Sequence, residues 1–267
     1  MSNNKFKNDY FYENYRLAEF YDELYGDISD IPFWLRYINT NEDVLEIACG
    51  TGRLTIPLSE KMQKGIIYAL DYSSEMLEKL NEKIAYSDHK DKIFPILGDM
   101  RNFDLGKKFK TIIISANSLN HIEKNEDLIK VFENFKNHLD DDGKILFDVL
   151  NPKFEFLQRD FNKRYDFMVI KKGNLYFSME ESNRYEHKTQ INSVSYFYNY
   201  CDANGVKTYG HSEYRMDIKV RLFFPQEMDA YIKFLGLKID GKFDNFNGDN
   251  FTGKTSEQIY IVSKADM

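Results

Sequence analysis

The chain has 267 residues, a formal net charge of −7 at pH 7 and aromatic side chains at 16% of its positions. This length suffices for one domain, or one domain with an insert, around a substantial core. The acidic balance argues against nucleic acid as a partner, and two cysteines are too few for a disulfide framework. The polar N-terminus lacks the apolar core of a signal peptide, and no window approaches 18 consecutive apolar residues. We therefore expect a cytoplasmic protein with no membrane partner.

Most of the chain alternates short apolar runs with amphipathic segments. An aromatic-rich segment at 9–38 is predicted to be helical, and the region 43–151 has the pattern of strands separated by helices. Strands are predicted at 43–48, 66–71, 93–97, 110–115 and 144–150. Helices are predicted at 53–62, 74–86 and 125–139, with Ser73 or Ser74 and Asn125 as N-caps. This order predicts a parallel sheet covered by helices on both faces.

The pattern changes after the fifth strand. Residues 165–222 alternate with period two, and Asn204-Gly205 is a hairpin turn sequence, which predicts an antiparallel sheet. A helix is expected from Gln226 to Leu235 with Gly236 as its stop, and the last strands at 237–243 and 258–263. We predict an α/β domain over 1–151 and 222–267, with an inserted β subdomain over 152–221. The insert would cover the acceptor pocket or form a dimer surface.

The stretch from Val44 to Asp71 predicts a nucleoside site. A buried strand leads into Ala48-Cys49-Gly50-Thr51-Gly52, a helix follows, and the next strand ends in Asp71. The glycines let a ligand approach bare backbone, and the acid can bind ribose hydroxyls. A dinucleotide fingerprint needs a third glycine, but Thr55 stands there.

Acids follow three successive strands and favour a phosphate-free cofactor. Glu46 precedes the glycines and would repel a pyrophosphate, but it can hold an ammonium directly or through water. Asp71 suits a ribose, and Asp99 can accept from the adenine amine. Each acid alone has a simpler explanation, as a strand-end, capping or turn residue. Together they indicate S-adenosylmethionine, which has an amino-acid tail, a ribose and an adenine.

The chain resembles the class I S-adenosylmethionine-dependent methyltransferases over nearly its whole length. Glu46-x-x-x-Gly50-x-Gly52 is similar to the first motif of the family, Asp71 to its second-strand acid, and Gly98-Asp99-Met100-Arg101 to its adenine segment. Phe147-Asp148-Val149-Leu150-Asn151-Pro152 and the tail at 247–252 are similar to a bacterial small-molecule subgroup that includes glycine and amino-sugar N-methyltransferases. The resemblance implies a Rossmann-like α/β fold with an antiparallel sheet inserted after strand five.

The resemblance also implies a set of cofactor-binding residues and no metal. The expected cofactor-binding residues are Tyr25, Glu46, Ala48, Gly50, Gly52, Arg53, Asp71, Tyr72, Met76, Asp99, Met100, Arg101, Ser115 and Asn117. Arg53 could reach the cofactor carboxylate, or be a solvated arginine. Tyr21, which is also a catalytic candidate, and Tyr25 could cover the cofactor as a lid, or belong to a core stripe.

His121 is the candidate general base, because it follows strand four, where these enzymes place the transferable methyl. The alternative is a histidine packed at the start of the next helix. We expect methyl transfer to nitrogen or oxygen of a small molecule by direct displacement, with nitrogen favoured by likeness to the subgroup, in a monomer or homodimer. A protein or RNA methyltransferase and a non-catalytic cofactor-binding scaffold stay open as alternatives.

Overall fold

A computed structural model describes residues 21–24, 26–208 and 214–265. These residues fall into two compact units, one made of Asp27–Pro152 with the segment from Leu222 onward, and the other including Lys153–Arg221. The described strands are β1 Val44–Ile47, β2 Ile67–Asp71, β3 Ile93–Leu97, β4 Phe109–Ile114, β5 Leu139–Leu150, β6 Tyr165–Lys172, β7 Leu175–Glu186, β8 Ile191–Cys201, β9 Tyr214–Arg221, β10 Leu237–Phe243 and β11 Glu257–Lys264. The described helices are α1 Ile31–Trp34, α2 Thr55–Ser59, α3 Ser74–Ile84, α4 Asn125–His138, α5 Phe154–Leu157 and α6 Pro225–Phe234.

The first unit contains a seven-stranded sheet in the order β10-β11-β5-β4-β1-β2-β3. Strands β1 to β5 run parallel, because the segments between them cross over the sheet, and β11 runs antiparallel to both β5 and β10. The carboxyl ends of β1, β2 and β4 therefore meet at one edge. Residues that follow these strands lie at that edge, where open α/β sheets bind ligands.

Two apolar clusters occupy the two faces of this sheet. In β4, Ile112 and Ile114 belong to one cluster and Ile113 to the other. Helices α4 and α6 contribute to the first cluster, and α1, α2 and α3 to the second. The predicted parallel sheet with helices on both faces is confirmed.

The helices and strands differ from the predicted ones mainly in the residues at which they begin and end. Strand β5 begins at Leu139, directly after α4, rather than at residue 144. The predicted helix at 9–38 falls partly outside the described residues. Within them, residues 21–24 are helical and α1 starts anew at Ile31 with a proline in its first turn, after an intervening turn.

The second unit contains the antiparallel sheet β6-β7-β8-β9, in sequence order. The predicted turn after β8 is present. Asp202 and Gly205 form it, with the Gly205 N–H donating to the Asp202 carbonyl at 3.0 Å. Gly205 has a φ of +81°, in the left-handed region that glycine tolerates at little cost.

Gly236 ends α6 as predicted, with a φ of +69°. Within the described part of the chain, no helix is long and apolar enough to cross a membrane.

The N-caps of α3 and α4 differ from each other. The Ser73 hydroxyl accepts a hydrogen bond from the Met76 N–H at 3.3 Å, so Ser73 caps α3 as predicted. The expected cap of α4 is wrong, because the N-cap position is Lys124, whose side chain makes no capping bond, and Asn125 lies inside the helix.

We expect Ser73→Ala to lower the free energy of unfolding by about 0.5–2 kcal/mol, because the Met76 N–H loses its acceptor. Asn125→Ala is the matched control and should stay within about 0.5 kcal/mol of the parent. Urea denaturation measures both. Equal losses for the two variants would show that Ser73 contributes nothing as a cap.

Candidate functional site

Two loops at the carboxyl edge of the sheet hold residues in the left-handed region. The loop after β1 contains Ala48 at a φ of +56°, Gly50 at +56° and Gly52 at +88°. The loop after β4 contains Ala116 at +57° and Asn117 at +58°. A non-glycine residue pays about 1–2 kcal/mol there, and such strain concentrates at functional sites. Because β1 pairs with β4, the two strained loops are neighbours.

Asp71 holds the glycine loop in place. Its Oδ2 accepts the Gly50 N–H at 2.7 Å, and its Oδ1 accepts the Ser73 N–H at 2.8 Å. The carboxyl is buried, and burial raises its pKa to about 6 against the lowering effect of these two bonds. Each carboxylate oxygen keeps a second lone pair for a ligand. Sequence reasoning assigned Asp71 to the ribose alone and missed its contact with the loop.

Glu46 is a buried carboxyl on β1 beneath the same loop. Its Oε2 accepts the Thr55 hydroxyl at 2.7 Å. Burial raises its pKa to about 8, and the nearby charges of Asp71 and Asp30 act in the same direction while Arg53 opposes them. At neutral pH the carboxyl is therefore mostly protonated, and a cation placed beside it would ionise it.

Arg53 ties three segments together at the head of the glycine loop. Its two terminal nitrogens form a bidentate pair with Asp30 at 2.7 and 2.8 Å, a geometry suited to guanidinium. It also donates to the Asp27 carbonyl at 2.7 Å and the Ser115 hydroxyl at 3.2 Å. Trp34 donates to Asp30 at 2.8 Å. Sequence reasoning missed Asp30, because nothing in its neighbourhood marks it as the partner of a residue 23 positions away.

The predicted adenine acid, Asp99, forms an ion pair with Arg101. The Arg101 side chain donates to both carboxylate oxygens of Asp99, and the backbone N–H of Arg101 donates to Asp99 Oδ1 at 2.9 Å. Burial raises the pKa of Asp99, but the bonds from Arg101 outweigh it and hold the pKa below its ordinary value. Asp99 is thus ionised at neutral pH and able to accept from an amine.

The other predicted residues lie close to these elements. Tyr72 is exposed and Met76 buried on either side of the α3 cap, while Met100 packs against the core. His121 is half-buried at the end of a 3-10 turn, Ser118–His121. Its role as a base stays a prediction. Tyr21 lies in the helical segment 21–24, and Tyr25 lies outside the described residues.

Sequence reasoning also gave no role to two acids beside the loop after β4, the buried Asp148 and the half-buried Glu257. Asp148 lies in the apolar strand β5, and its Oδ2 accepts the Asn117 N–H at 2.8 Å. Glu257 begins β11. The sequence analysis includes Asp148 in a subgroup motif without assigning it a role, although an acid inside an apolar run is unusual, and nothing in the sequence singles out Glu257. Among the described residues, no group of three or more His, Cys, Asp or Glu side chains is placed to hold a metal ion.

The Gly52→Ala variant tests the close packing of the glycine loop. An added Cβ would lie 2.5 Å from Leu80 Cδ1. Gly106→Ala is the control, since it shares a positive φ but has no atom within 4 Å of the added Cβ. We expect Gly52→Ala to be less stable than Gly106→Ala by about 1–3 kcal/mol in urea denaturation. Equal stabilities would mean that Leu80 of α3 moves away from the added methyl group without cost.

The pH dependence of stability tests the burial of Glu46. Its pKa is about 8 in the folded protein, above its ordinary value of 4.5, so the folded state retains a proton that the unfolded chain releases. Stability is thus lost as pH rises from 4.5 through 8. Glu46→Gln should therefore gain stability over the parent across this interval, while the exposed control Glu78→Gln should follow the parent. A constant difference between Glu46→Gln and the parent from pH 5 to pH 9 would contradict a raised pKa.

The first unit matches known proteins in sequence. Residues 44–143 match the family described as "Methyltransferase domain". The chain is 32% identical over 142 residues to the Bacillus subtilis protein YqeM, covering 49% of this chain and 53% of that protein. It is 30% identical over 103 residues to a dTDP-3-amino-3,6-dideoxy-alpha-D-glucopyranose N,N-dimethyltransferase of Streptomyces fradiae, covering 39% of this chain and 37% of that enzyme. The chain thus spans about half or less of the curated relatives that it matches.

The fold has a near-complete match among solved structures. An S-adenosylmethionine-dependent methyltransferase from Clostridium acetobutylicum superposes with a TM-score of 0.74 at 23% identity, over 94% of this chain and 98% of that one. At this identity the likeness establishes the fold. The family match, the fold and the acids at the strand ends agree with one another. Residues 44–143 therefore match a methyltransferase domain, and the chain has the fold of the class I methyltransferases.

Proposed function

We propose that the whole protein transfers a methyl group from S-adenosylmethionine to a nitrogen or oxygen atom of a small molecule. The observation that supports this most strongly is the edge where β1, β2 and β4 end. There, Glu46 and Asp71 are buried beneath loops of left-handed backbone, within residues that match a methyltransferase domain.

The buried acids suit a cationic nucleoside. Glu46 lacks a cationic hydrogen-bond partner among the described residues and would hold the ammonium of an amino-acid tail. The second lone pairs of Asp71 would accept the ribose hydroxyls, and Asp99 would accept the adenine amine. Gly50 and Gly52 leave the backbone open for close approach. S-adenosylmethionine, when bound, would supply a methyl group on a positively charged sulfur, and the neutral thioether would be the leaving group.

The chain itself would align the acceptor and remove its proton. Positioning of two reactants can supply about 7–11 kcal/mol of a barrier, and a base adds about 10²–10⁴-fold. His121 follows β4 by seven residues and is our candidate for the base. Nitrogen is our preferred acceptor atom because of the likeness of the chain to an amino-sugar N,N-dimethyltransferase, and oxygen stays in the proposal because another relative is an O-methyltransferase.

Two assays test this function. Calorimetry should show saturable binding of S-adenosylhomocysteine at micromolar concentrations. Labelled S-adenosylmethionine should then transfer its methyl to small amines or alcohols in a low-molecular-weight extract. No binding of either cofactor form would overturn the proposal. His121→Gln tests the base in the same assay, and turnover equal to that of the parent from pH 6 to pH 9 would exclude that role.

Asp71→Ala should weaken S-adenosylhomocysteine binding by at least about tenfold, because it removes charge-assisted ribose contacts and the acceptor that fixes the glycine loop. The exposed acid Asp91 provides the control, and Asp91→Ala should bind as the parent does. Calorimetry measures both. Undiminished affinity in a folded Asp71→Ala protein would show that the ribose assignment is wrong.

A further inference from the structure

Asp148 is a carboxyl side chain at a buried position of strand β5, where apolar side chains normally pack. It is only 1% exposed, and its neighbours Phe147 and Val149 belong to the core. Its partner across the sheet is Ile259 of β11. The Asn117 N–H bonds one of its oxygens, but Oδ1 is buried with no hydrogen-bond partner among the described residues. Leaving such an acceptor unsatisfied is costly, so its retention points to a donor that arrives with a ligand.

Glu257 shares this environment. It lies two residues before Ile259 on β11 and therefore on the same face as Asp148, a diagonal separation of about 7–8 Å that long side chains span. Its Oε2 is likewise buried without a partner in the described part of the chain. The Glu257 carboxyl also accepts a hydrogen bond from the side-chain amide of Asn117.

Asn117 connects the two acids. Its backbone N–H donates to Asp148 and its side-chain amide to Glu257, which leaves its own Oδ1 buried and unsatisfied. The left-handed φ of +58° at this residue turns it out of the line of β4. The cluster thus offers three unsatisfied oxygens, on Asn117, Asp148 and Glu257, and each of them is an acceptor. What it lacks is a group with several donors and positive charge.

The pKa shifts of Asp148 and Glu257 are consistent with a missing cation. Burial raises the pKa of Asp148 well above its ordinary value, and the charges of Glu257 on β11 and Asp30 before α1 add to the effect. The Asn117 N–H and the charge of Arg53 act against it. Burial raises the pKa of Glu257 to about 7. Both shifts favour the neutral carboxyls, and a cation that enters between them would favour the charged form.

We propose that Asp148, Glu257 and Asn117 form the pocket that binds the acceptor as an ammonium ion, an inference that rests on the proposed function. An ammonium carries three donors and one positive charge, which match three acceptors and the charge of the acids, whereas a hydroxyl offers one donor. The pocket lies where β5 ends beside the loop that follows β4, the same edge as the glycine loop.

The acids also provide a place for the proton that the amine must lose. One N–H bond of the ammonium breaks and an O–H bond forms on a carboxylate. The freed nitrogen lone pair then forms the bond to the methyl carbon, while the electron pair of the carbon–sulfur bond stays on sulfur. The substrate class is therefore a primary amine, whose ammonium carries three N–H donors, rather than an alcohol.

The test uses ethylammonium chloride as the probe, with ethanol as its uncharged match and sodium chloride at equal ionic strength. Each is titrated into the protein with and without S-adenosylhomocysteine and followed by ligand-observed NMR. We expect ethylammonium to bind at least about tenfold more tightly than ethanol. Asp148→Asn and Glu257→Gln should each weaken ethylammonium binding by at least about tenfold, because each removes one charge from a desolvated pair. The exposed control Glu133→Gln should bind as the parent does.

Two further readouts separate recognition from a structural role. Both variants should keep the S-adenosylhomocysteine affinity of the parent within about twofold. The affinity of the parent for ethylammonium should rise between pH 6 and pH 8 as the pair ionises, and the variants should flatten this rise. No saturable binding of ethylammonium, equal binding of ethanol, or variants that bind as the parent does would each overturn the pocket. Failure of S-adenosylhomocysteine to bind the parent would instead overturn the proposed function.

Discussion

The cost of burying carboxyl groups without a cation is the constraint on which this site depends. Glu46, Asp71 and Asp148 lie on three different strands of one sheet, and all are nearly inaccessible to water. Within the described residues, each is bonded by neutral donors rather than by a cation. Removing charge from water in this way costs several kcal/mol, and burial raises the pKa of all three carboxyls. The site is therefore poised to lose protons when a cation binds.

Backbone strain contributes to the same site. The loops after β1 and β4 place alanine and asparagine residues in the left-handed region, where only glycine is free of penalty. Asp71 stabilises the first loop through Gly50, and Asp148 stabilises the second through Asn117. Each acid thus holds its loop in position by accepting a backbone N–H, and the same hydrogen bond orients the carboxyl group. A site built this way is less stable than a fully apolar sheet edge, and ligand binding recovers part of the difference.

The sequence predicted the parts of this site that depend on local pattern. The strands at 66–71 and 93–97 and the acid Asp71 follow from short apolar runs with polar ends, and the structure has them at or within one residue of those positions. Helix caps are harder to distinguish by local pattern, because Ser73 and Asn125 are both common capping residues, whereas only the Ser73 side chain accepts a backbone N–H in the structure.

The rest depends on contacts between distant residues. Asp30 acquires its role from Arg53, 23 positions later, and Asn117 meets Glu257 only because β11 returns beside β5. No local pattern encodes such pairs. An acid such as Asp148 in a continuous apolar strand is unusual and can be noticed in the sequence. A role for it can be inferred only from the structure, which shows the unsatisfied oxygens around it.

A cationic ligand should ionise the buried acids of this site. The most direct measurement is the number of protons released when S-adenosylmethionine binds, obtained by calorimetry at pH 7 in two buffers of different ionisation enthalpy. Since burial raises the pKa of Glu46 to about 8, we expect release of nearly one proton, which Glu46→Gln should abolish. Binding with no proton release, or release that persists unchanged in Glu46→Gln, would contradict it.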